Sequence, residues 1–395
     1  MAVYLDHAAT EPLRSQARDA WLEASVAVGN ASSIHGFGQA ARRLLEEARE
    51  RVAAVLSCDP IEVVFTSGGT ESVNLALRGL WTSRAADATA IVLPDGEHHA
   101  TLDTVEALRT QDAAQVRPVA LDSLGRIRPD AFARELPGAA LATALVASNE
   151  VGTISDAAAL ARTAAEADVP LHLDAVAAFG HIDVDFRSWR GAASGTTGLV
   201  ALSVSAHKVG GPVGVGALVA ARTAAIAPLF HGGGQQRGIR PGTQDIPGAV
   251  AFAAAAEAAV SERAEEAARL SALRDRLVGT ILATVPEARL LGDPVDRLPG
   301  NSHLLFPGAS GETLLFLLDQ AGVAVSTGSA CQAGIPEPSH VVTAMGFSPD
   351  EARQVLRLTL GRTTTDADVD VAVAAFPAAV ERARAASGLS SGARS

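Results

Sequence analysis

The sequence predicts an α/β fold in which a large domain holds a mostly parallel central sheet and is joined to a smaller α+β domain. Short runs rich in β-branched residues alternate with longer Ala-, Leu-, Arg- and Glu-rich stretches that have helical periodicity. Such alternation is typical of parallel strands joined by helices. The chain of 395 residues is long enough for two or three domains, and its composition, 48% hydrophobic and 19% charged, indicates a globular protein.

The large domain is expected to contain six strands and an early amphipathic helix. The first strong helix is expected over residues 38–56, where Leu44, Leu45, Val52 and Val55 share one face. The strands are expected at residues 63–66, 90–93, 141–147, 171–174, 199–204 and 216–220.

A helical pattern extends from residue 246 to residue 284, with expected interruptions at Ser261 and near Gly279. Because it is much longer than an average helix, we place a domain boundary within it. The expected division is a large domain of residues 12–258 and a small domain of residues 1–11 and 259–395.

The small domain is expected to hold strands between helices. The tail, residues 386–395, is composed of Ser, Gly, Ala, Leu and Arg, and we expect it to be frayed. The strands are expected at residues 302–306, 324–326 and 355–360.

Composition argues against several functions. A net charge of −12 without a basic stripe argues against direct nucleic-acid binding. The N-terminus has no signal-peptide pattern, and the most apolar long stretch, residues 246–260, is too short to span a membrane. Cys58 and Cys331 are far apart, so neither a disulfide framework nor a metal site is expected. These observations indicate a cytoplasmic protein that needs no membrane.

Lys208 is the single lysine among 32 basic residues. The scarcity itself is explained by an arginine-rich composition. Arginine can replace lysine on a solvated surface, but it cannot do so where chemistry requires an amine that releases its proton. Lys208 is therefore the first candidate for catalysis.

Two further features lie at predicted strand ends. The Ser-Gly-Gly-Thr turn at residues 67–70 joins a strand to a helix and suits an anion such as phosphate, although glycines often serve only backbone geometry there. Asp174 ends a buried strand, where it could bind a ligand or cap a helix. An amine, a carboxylate and a phosphate cradle at one sheet edge together suit pyridoxal phosphate.

With these features the chain resembles the cysteine desulfurases of the NifS/IscS type, within the class V aminotransferase fold. The resemblance covers nearly the whole chain and implies a pyridoxal-phosphate-dependent transferase fold like that of aspartate aminotransferase. Its landmarks are residues 4–10, 29–35, 65–72, 97–98, 148–152, 172–174, 205–208, 232–238, 240–243, 326–331 and 356–362.

The resemblance implies a role for each matching residue. Lys208 would form the Schiff base with the cofactor and act as the base, and His98 would stack on the ring and assist in proton transfer. Asp174 would pair with the pyridinium nitrogen, and Asn149 would contact the ring substituents and the substrate. Arg357 would bind the substrate carboxylate. The phosphate would be held by Gly69, Thr70, Ser205 and His207, and Thr243 would reach the phosphate of the partner subunit in a homodimer.

Cys331 determines the implied reaction. It lies in a polar, glycine-containing stretch that is typical of an exposed loop in which a thiolate can form, whereas Cys58 is expected to be a small buried apolar residue. In the family, the cysteine at the position of Cys331 attacks the sulfur of cofactor-bound L-cysteine, takes it as a persulfide and allows alanine to leave. The sulfur then passes to an acceptor protein, which the sequence does not identify.

One departure from the family pattern affects the expected rate. Ala177 stands where a glutamine usually donates to the 3-oxygen of the cofactor. Two alternatives therefore stand beside the cysteine desulfurase. The first is a selenocysteine lyase or aminotransferase of the same fold, and the second is a cofactor-binding subunit with reduced turnover.

Overall fold

The structure, a computed structural model, describes residues 2–328 and 337–392. The described strands are β1 (Val3–Tyr4), β2 (Val63–Thr66), β3 (Ala90–Pro94), β4 (Gln115–Val119), β5 (Ala139–Leu145), β6 (Pro170–Asp174), β7 (Gly198–Ser205), β8 (Gly216–Ala220), β9 (Arg289–Leu291), β10 (Asn301–Leu305), β11 (Val323–Ala324) and β12 (Val355–Thr359). The described helices are α1 (Ser15–Ser25), α2 (Gly36–Val55), α3 (Gly69–Thr82), α4 (His99–Gln111), α5 (Pro129–Glu135), α6 (Ala157–Glu166), α7 (Phe186–Arg190), α8 (Ile246–Thr284), α9 (Gly311–Gln320), α10 (His340–Ala344) and α11 (Asp366–Gly392).

The main sheet confirms the predicted fold class. In the described part of the chain it has seven strands in the order β2-β8-β7-β6-β5-β3-β4. Strands β4, β3, β5, β6 and β7 run parallel, whereas β8 is antiparallel to both β7 and β2. Because parallel strands share one carboxyl edge, the ends of β5, β6 and β7 open onto the same side of the sheet.

All six strands expected in the large domain are present, with ends shifted by at most two residues. The sequence did not predict β4, which pairs with β3 at the edge of the sheet. This strand carries Arg117 and Pro118 and is largely accessible, so it lacks the apolar run that marks the buried strands.

Helix α8 corrects an expectation, because it is continuous from Ile246 to Thr284. The interruptions expected at Ser261 and Gly279 are absent from it. The Ser261 hydroxyl donates to the carbonyl of Ala258 within the helix (3.0 Å), and a Cβ at Gly279 would meet no atom within 4 Å. Both residues are therefore accommodated in an accessible part of the helix without a break.

The buried apolar side chains form two large clusters. One surrounds the main sheet, and the other fills the space between β10, β12, α9 and α11. Helix α8 contributes residues such as Phe252 to the first and Leu277 to the second. The division of the chain at residue 258 stays a prediction.

The second cluster lies under a small antiparallel sheet in which β10 pairs with β9 and β12. Helix α11 corrects another expectation, since it continues to Gly392 through most of the tail that was expected to be frayed. The alanines at 383, 385 and 386 favour helix strongly enough to extend it. Positions 393–395 lie outside the described residues.

None of the helices in the described ranges combines the length and the apolarity that crossing a membrane requires.

Phe376 provides a test of the second cluster. It is fully buried on α11 and stacks on Phe306, with ring centroids 5.6 Å apart. We expect Phe376→Ala to lower the free energy of unfolding by about 3–5 kcal/mol, because it leaves a cavity in the core. Phe316 on α9 is 60% exposed, so Phe316→Ala should change stability by less than about 0.5 kcal/mol. Urea unfolding measures both, and equal effects would contradict this assignment of the core.

Candidate active site

A cavity of about 400 Å³ lies at the carboxyl edge of the main sheet. Its size is in the range of small-molecule sites. Eight of the residues expected to bind cofactor or substrate or to act in catalysis line it: Gly69, Thr70, His98, Asn149, Asp174, His207, Lys208 and Arg357.

Lys208 follows β7 in a single turn that ends at Gly210, whose φ of +77° favours glycine. Its Nζ donates to the carbonyl oxygens of Ala8 (2.5 Å) and Ala9 (3.1 Å). Burial, and then the positive charge of Arg357, lower the pKa of the amine to about 8. A substantial fraction of Lys208 is therefore unprotonated, and nucleophilic, slightly above neutral pH.

Asp174 ends β6 and is buried. Its Oδ1 accepts from the backbone N–H of Val176 at 2.9 Å. Burial raises the pKa of this carboxyl to about 6, while the Val176 hydrogen bond and the Lys208 charge act in the opposite direction. The carboxylate is the main form at neutral pH, and it is available to pair with a cationic group in the cavity.

A row of buried polar side chains runs beneath Asp174 across three strands. His172 contacts Thr143 on β5 through Nδ1 (2.9 Å) and Ser203 on β7 through Nε2 (2.8 Å). Burial lowers the pKa of His172 to about 3, so the ring is neutral. These hydrogen bonds link β5, β6 and β7 at a position two residues before Asp174 on β6.

The loop after β2 forms an anion cradle. Gly68 has a φ of +150°, and α3 begins at Gly69, where an added Cβ would come within 2.7 Å of the Val176 side chain. The Ser205 hydroxyl is buried and has no hydrogen-bond partner among the described residues. Backbone N–H groups at the start of α3 and this unpaired hydroxyl together suit an oxyanion such as phosphate.

His98 caps α4, because its Nδ1 accepts from the backbone N–H of Ala100 at 3.0 Å. Desolvation by the surrounding protein, and then the positive charge of Lys208, lower the pKa of His98 to about 4, even though part of the ring faces the open cavity. The ring is neutral at physiological pH and, with Nδ1 accepting, carries its proton on Nε2.

Glu97 is a site residue to which the sequence assigned no role. It is fully buried, and its Oε1 accepts from the backbone N–H of Leu145 at 2.7 Å. Its Oε2 and the nearby hydroxyl of Thr101 are both buried without a close partner among the described residues. Burial, with a further contribution from Asp174, raises the pKa of Glu97 to about 8. A proton on Glu97 therefore leaves Asp174 as the anion of this pair.

Arg357 lies on β12 and reaches the cavity from the small sheet. Its Nη1 donates to the carbonyl of Asn149 (2.9 Å) and its Nη2 to Oδ1 of Asp6 (2.8 Å). The sequence assigns Asp6 no role of its own. Nothing in the sequence indicates this pair, because 351 positions separate the two residues.

Ser205 and Thr243 are expected site residues that do not line the cavity. The Ser205 hydroxyl adjoins the cradle, since an added Cβ at Gly68 would lie 3.7 Å from it. Thr243 is exposed and is not part of the cavity lining, and Cys331 lies outside the described residues. Ala177 lines this cavity and also a smaller adjoining cavity of about 40 Å³. No cluster of three or more metal-ligating side chains occurs among residues 2–328 and 337–392.

Comparison with known proteins identifies relatives over almost the full length. The chain matches the family described as Aminotransferase class-V over residues 3–371. It is 47% identical to the IscS-like cysteine desulfurase of Mycobacterium tuberculosis, with 99% of each chain covered.

Solved structures agree with this match. A NifS-like protein superposes with a TM-score of 0.87 at 32% identity, covering 97% of this chain and 99% of that one. A structure described as SspA in complex with cysteine gives a TM-score of 0.77 at 29% identity, covering 91% and 98%.

The raised pKa of Glu97 predicts a pH-dependent effect of Glu97→Gln. Between the ordinary glutamate pKa of 4.5 and about 8, the folded protein keeps this proton while the unfolded chain loses it, so ionisation favours unfolding increasingly as pH rises. The amide cannot ionise. We expect the variant to gain stability relative to the parent between pH 5 and pH 8, as measured by thermal unfolding at both values.

Glu106 provides the control, because it is exposed on α4, the helix that begins two residues after Glu97. Glu106→Gln should show no such gain between pH 5 and pH 8. An unchanged difference between Glu97→Gln and the parent at the two pH values would show that Glu97 is already ionised in the fold.

Proposed function

The chain belongs to the class V aminotransferase family and is a pyridoxal-phosphate-dependent cysteine desulfurase, and we propose that Lys208, His98 and Cys331 carry its chemistry. The observation that supports Lys208 is its placement, since its amine lies in one cavity with the Asp174 carboxylate and the anion cradle. The reaction converts L-cysteine to L-alanine and moves the sulfur to an enzyme cysteine.

The donor set of the cavity fits pyridoxal phosphate. Gly69, Thr70, Ser205 and His207 would hold its phosphate, and Asp174 its ring nitrogen, with Asn149 beside the ring. The unpaired Ser205 hydroxyl and the close approach of Gly69 to Val176 are the features that support this fit. When bound, the cofactor supplies a sink for the electrons released at the substrate α-carbon.

Lys208 and His98 would attach the cofactor and transfer protons. Lys208 would hold the cofactor covalently through its amine and, once displaced by substrate, would move the proton at the α-carbon. The lowered pKa of Lys208 suits both tasks. His98, neutral at physiological pH, would lie on the ring face and assist proton transfer.

Arg357 would bind the carboxylate of L-cysteine. Its two terminal nitrogens donate to oxygen atoms of Asn149 and Asp6, and a carboxylate can accept from two such nitrogens of one guanidinium. The substrate carboxylate would then accept from the Arg357 nitrogen that now donates to Asp6.

Cys331 would be the sulfur acceptor on the enzyme. Its thiolate attacks the sulfur of the bound substrate, so that an S–S bond forms as the C–S bond breaks, and the electrons of that bond return to the carbon skeleton, which takes a proton and leaves as alanine. Cys58 does not compete, because it is buried and its pKa is raised to about 12, chiefly by desolvation. An acceptor protein then takes the terminal sulfur of the persulfide.

We also propose that the protein is a homodimer, that it is cytoplasmic and that it does not bind nucleic acid directly. The exposure of Thr243 outside the cavity of its own chain is compatible with its contacting a partner subunit. We expect light scattering to give the mass of a dimer for the cofactor-loaded protein, and a fully loaded monomer would contradict this part of the proposal.

Reduction with borohydride tests Lys208 directly. Because the chain has one lysine, we expect the reduced protein to carry the cofactor on the peptide that contains Lys208, located by mass spectrometry. The N-terminal amine is the other primary amine that the digest must exclude. Lys208→Arg keeps the charge but should abolish the attachment, and an unchanged yield in this variant would disprove the assignment.

Replacement of the proposed sulfur acceptor tests the reaction. We expect Cys331→Ala to lose sulfide release in the presence of a reductant while keeping its cofactor absorbance. Cys58→Ala is the matched control and should retain activity. Full activity of Cys331→Ala would contradict the proposed role, and product analysis with L-cysteine, selenocysteine and keto acids separates the desulfurase from its alternatives.

A further inference from the structure

We propose that Glu150 is a positioning residue for the sulfur-transfer step, because its carboxylate accepts a hydrogen bond on the C-terminal side of the segment that carries Cys331 and lies next to Gly328 on the N-terminal side. The inference rests on the proposed function of Cys331. Five described residues surround this carboxylate or carry it, namely Glu150, His303, Gly328, Ser339 and His340, and we call them the Glu150 cluster.

On the C-terminal side of the segment, Glu150 binds Ser339 and His340. The Ser339 hydroxyl donates to Oε2 of Glu150 at 2.5 Å, and both side chains are buried. Nδ1 of His340 lies 3.9 Å from Oε1 of the same carboxylate. Ser339 caps α10 and His340 begins it, so the carboxylate helps to fix the position at which α10 starts.

On the N-terminal side, the same carboxylate lies next to Gly328. A Cβ added there would lie 3.3 Å from Oε2 of Glu150 and 3.0 Å from Cε1 of His303, and the φ of +84° also favours glycine. Two residues earlier, Ser326 exchanges backbone hydrogen bonds with Arg357 (3.1 and 2.7 Å). The chain therefore reaches Gly328 in a fixed position beside the carboxylate.

His303 completes the cluster from β10. The ring is fully buried, and neither of its nitrogens makes a close hydrogen bond among the described residues. Burial lowers its pKa to about 4, with the charge and backbone of Glu150 acting in the opposite direction. The neutral ring occupies the space next to Gly328, and Glu150 is the charged group that adjoins both chain ends.

The carboxylate is not needed to fold its own loop. The backbone N–H groups of Glu150 and Val151 both donate to the Ser148 hydroxyl (3.3 and 3.2 Å), and Ser148 and Thr153 pair through the backbone (2.9 Å). Asn149, which lies between these residues and lines the cavity, is therefore placed without the Glu150 side chain. This separation predicts that truncating Glu150 disturbs sulfur transfer more than substrate binding.

The test compares kcat and KM for alanine formation from L-cysteine in cofactor-loaded variants. We expect Glu150→Ala to lower kcat about ten- to hundredfold, because small displacements of reacting groups are costly, with KM within about twofold of the parent. Glu150→Gln should recover most of kcat, since the amide oxygen can still accept from Ser339. A kcat of Glu150→Ala within about twofold of the parent, or a rise in KM without a fall in kcat, would overturn the proposal.

Ser339→Ala provides an independent arm if Glu150→Ala fails to load cofactor. It removes the hydroxyl contact and should also lower kcat at unchanged KM. Ser302→Ala is its matched control, because Ser302 is equally buried but donates to a backbone carbonyl outside the cluster, at 3.0 Å. Equal kcat values for the two serine variants would overturn the proposal.

Cys331→Ala, measured in parallel, distinguishes a failure of the proposed role of Cys331 from a failure of the proposed role of Glu150. An active Cys331→Ala protein means that the proposed function of Cys331 has failed. An inactive Cys331→Ala protein beside an unimpaired Glu150→Ala protein means that only the role of Glu150 has failed.

Discussion

The site depends on the register of three parallel strands, β5, β6 and β7. Their carboxyl ends place Asp174 and Lys208 at one edge, and the register is marked by the buried row of Thr143, His172 and Ser203. A shift of one residue would turn Asp174 to the opposite face of the sheet and separate this polar row, leaving a buried imidazole without partners. The same hydrogen bonds therefore favour the correct fold and the correct position of the carboxylate.

Burial then shifts the pKa values of the groups at and near this edge of the sheet. Desolvation lowers the pKa of Lys208 and raises those of Asp174 and Glu97, so that each group titrates nearer to neutral pH than it would in water. The two acids respond to different degrees, because the Lys208 charge acts to lower the pKa of Asp174, whereas the Asp174 charge raises the pKa of Glu97 further. The site can thus keep one carboxyl neutral and the other anionic within a small volume.

Much of this arrangement could be predicted from the sequence, because strand ends and glycine turns are local features. Lys208 and Asp174 follow apolar runs, and the fold rule for parallel sheets brings such ends together. The contact of Glu150 with Ser339 could not be predicted in this way, since 189 positions separate them and neither lies in a regular pattern. Helix α8 was predicted with interruptions because Ser261 and Gly279 have low helix propensity, which the surrounding turns outweigh.

Helix α8 also has a mechanical consequence. Its 39 residues form a rod about 58 Å long, with one part packed in each apolar cluster. If one cluster unfolded alone, the part of α8 that belongs to it would expose its apolar side chains, while the other part of the helix stayed packed in the second cluster. Heat should therefore melt both clusters in one cooperative transition, and a small tilt of the rod at the main sheet would be amplified at the small sheet that carries Arg357.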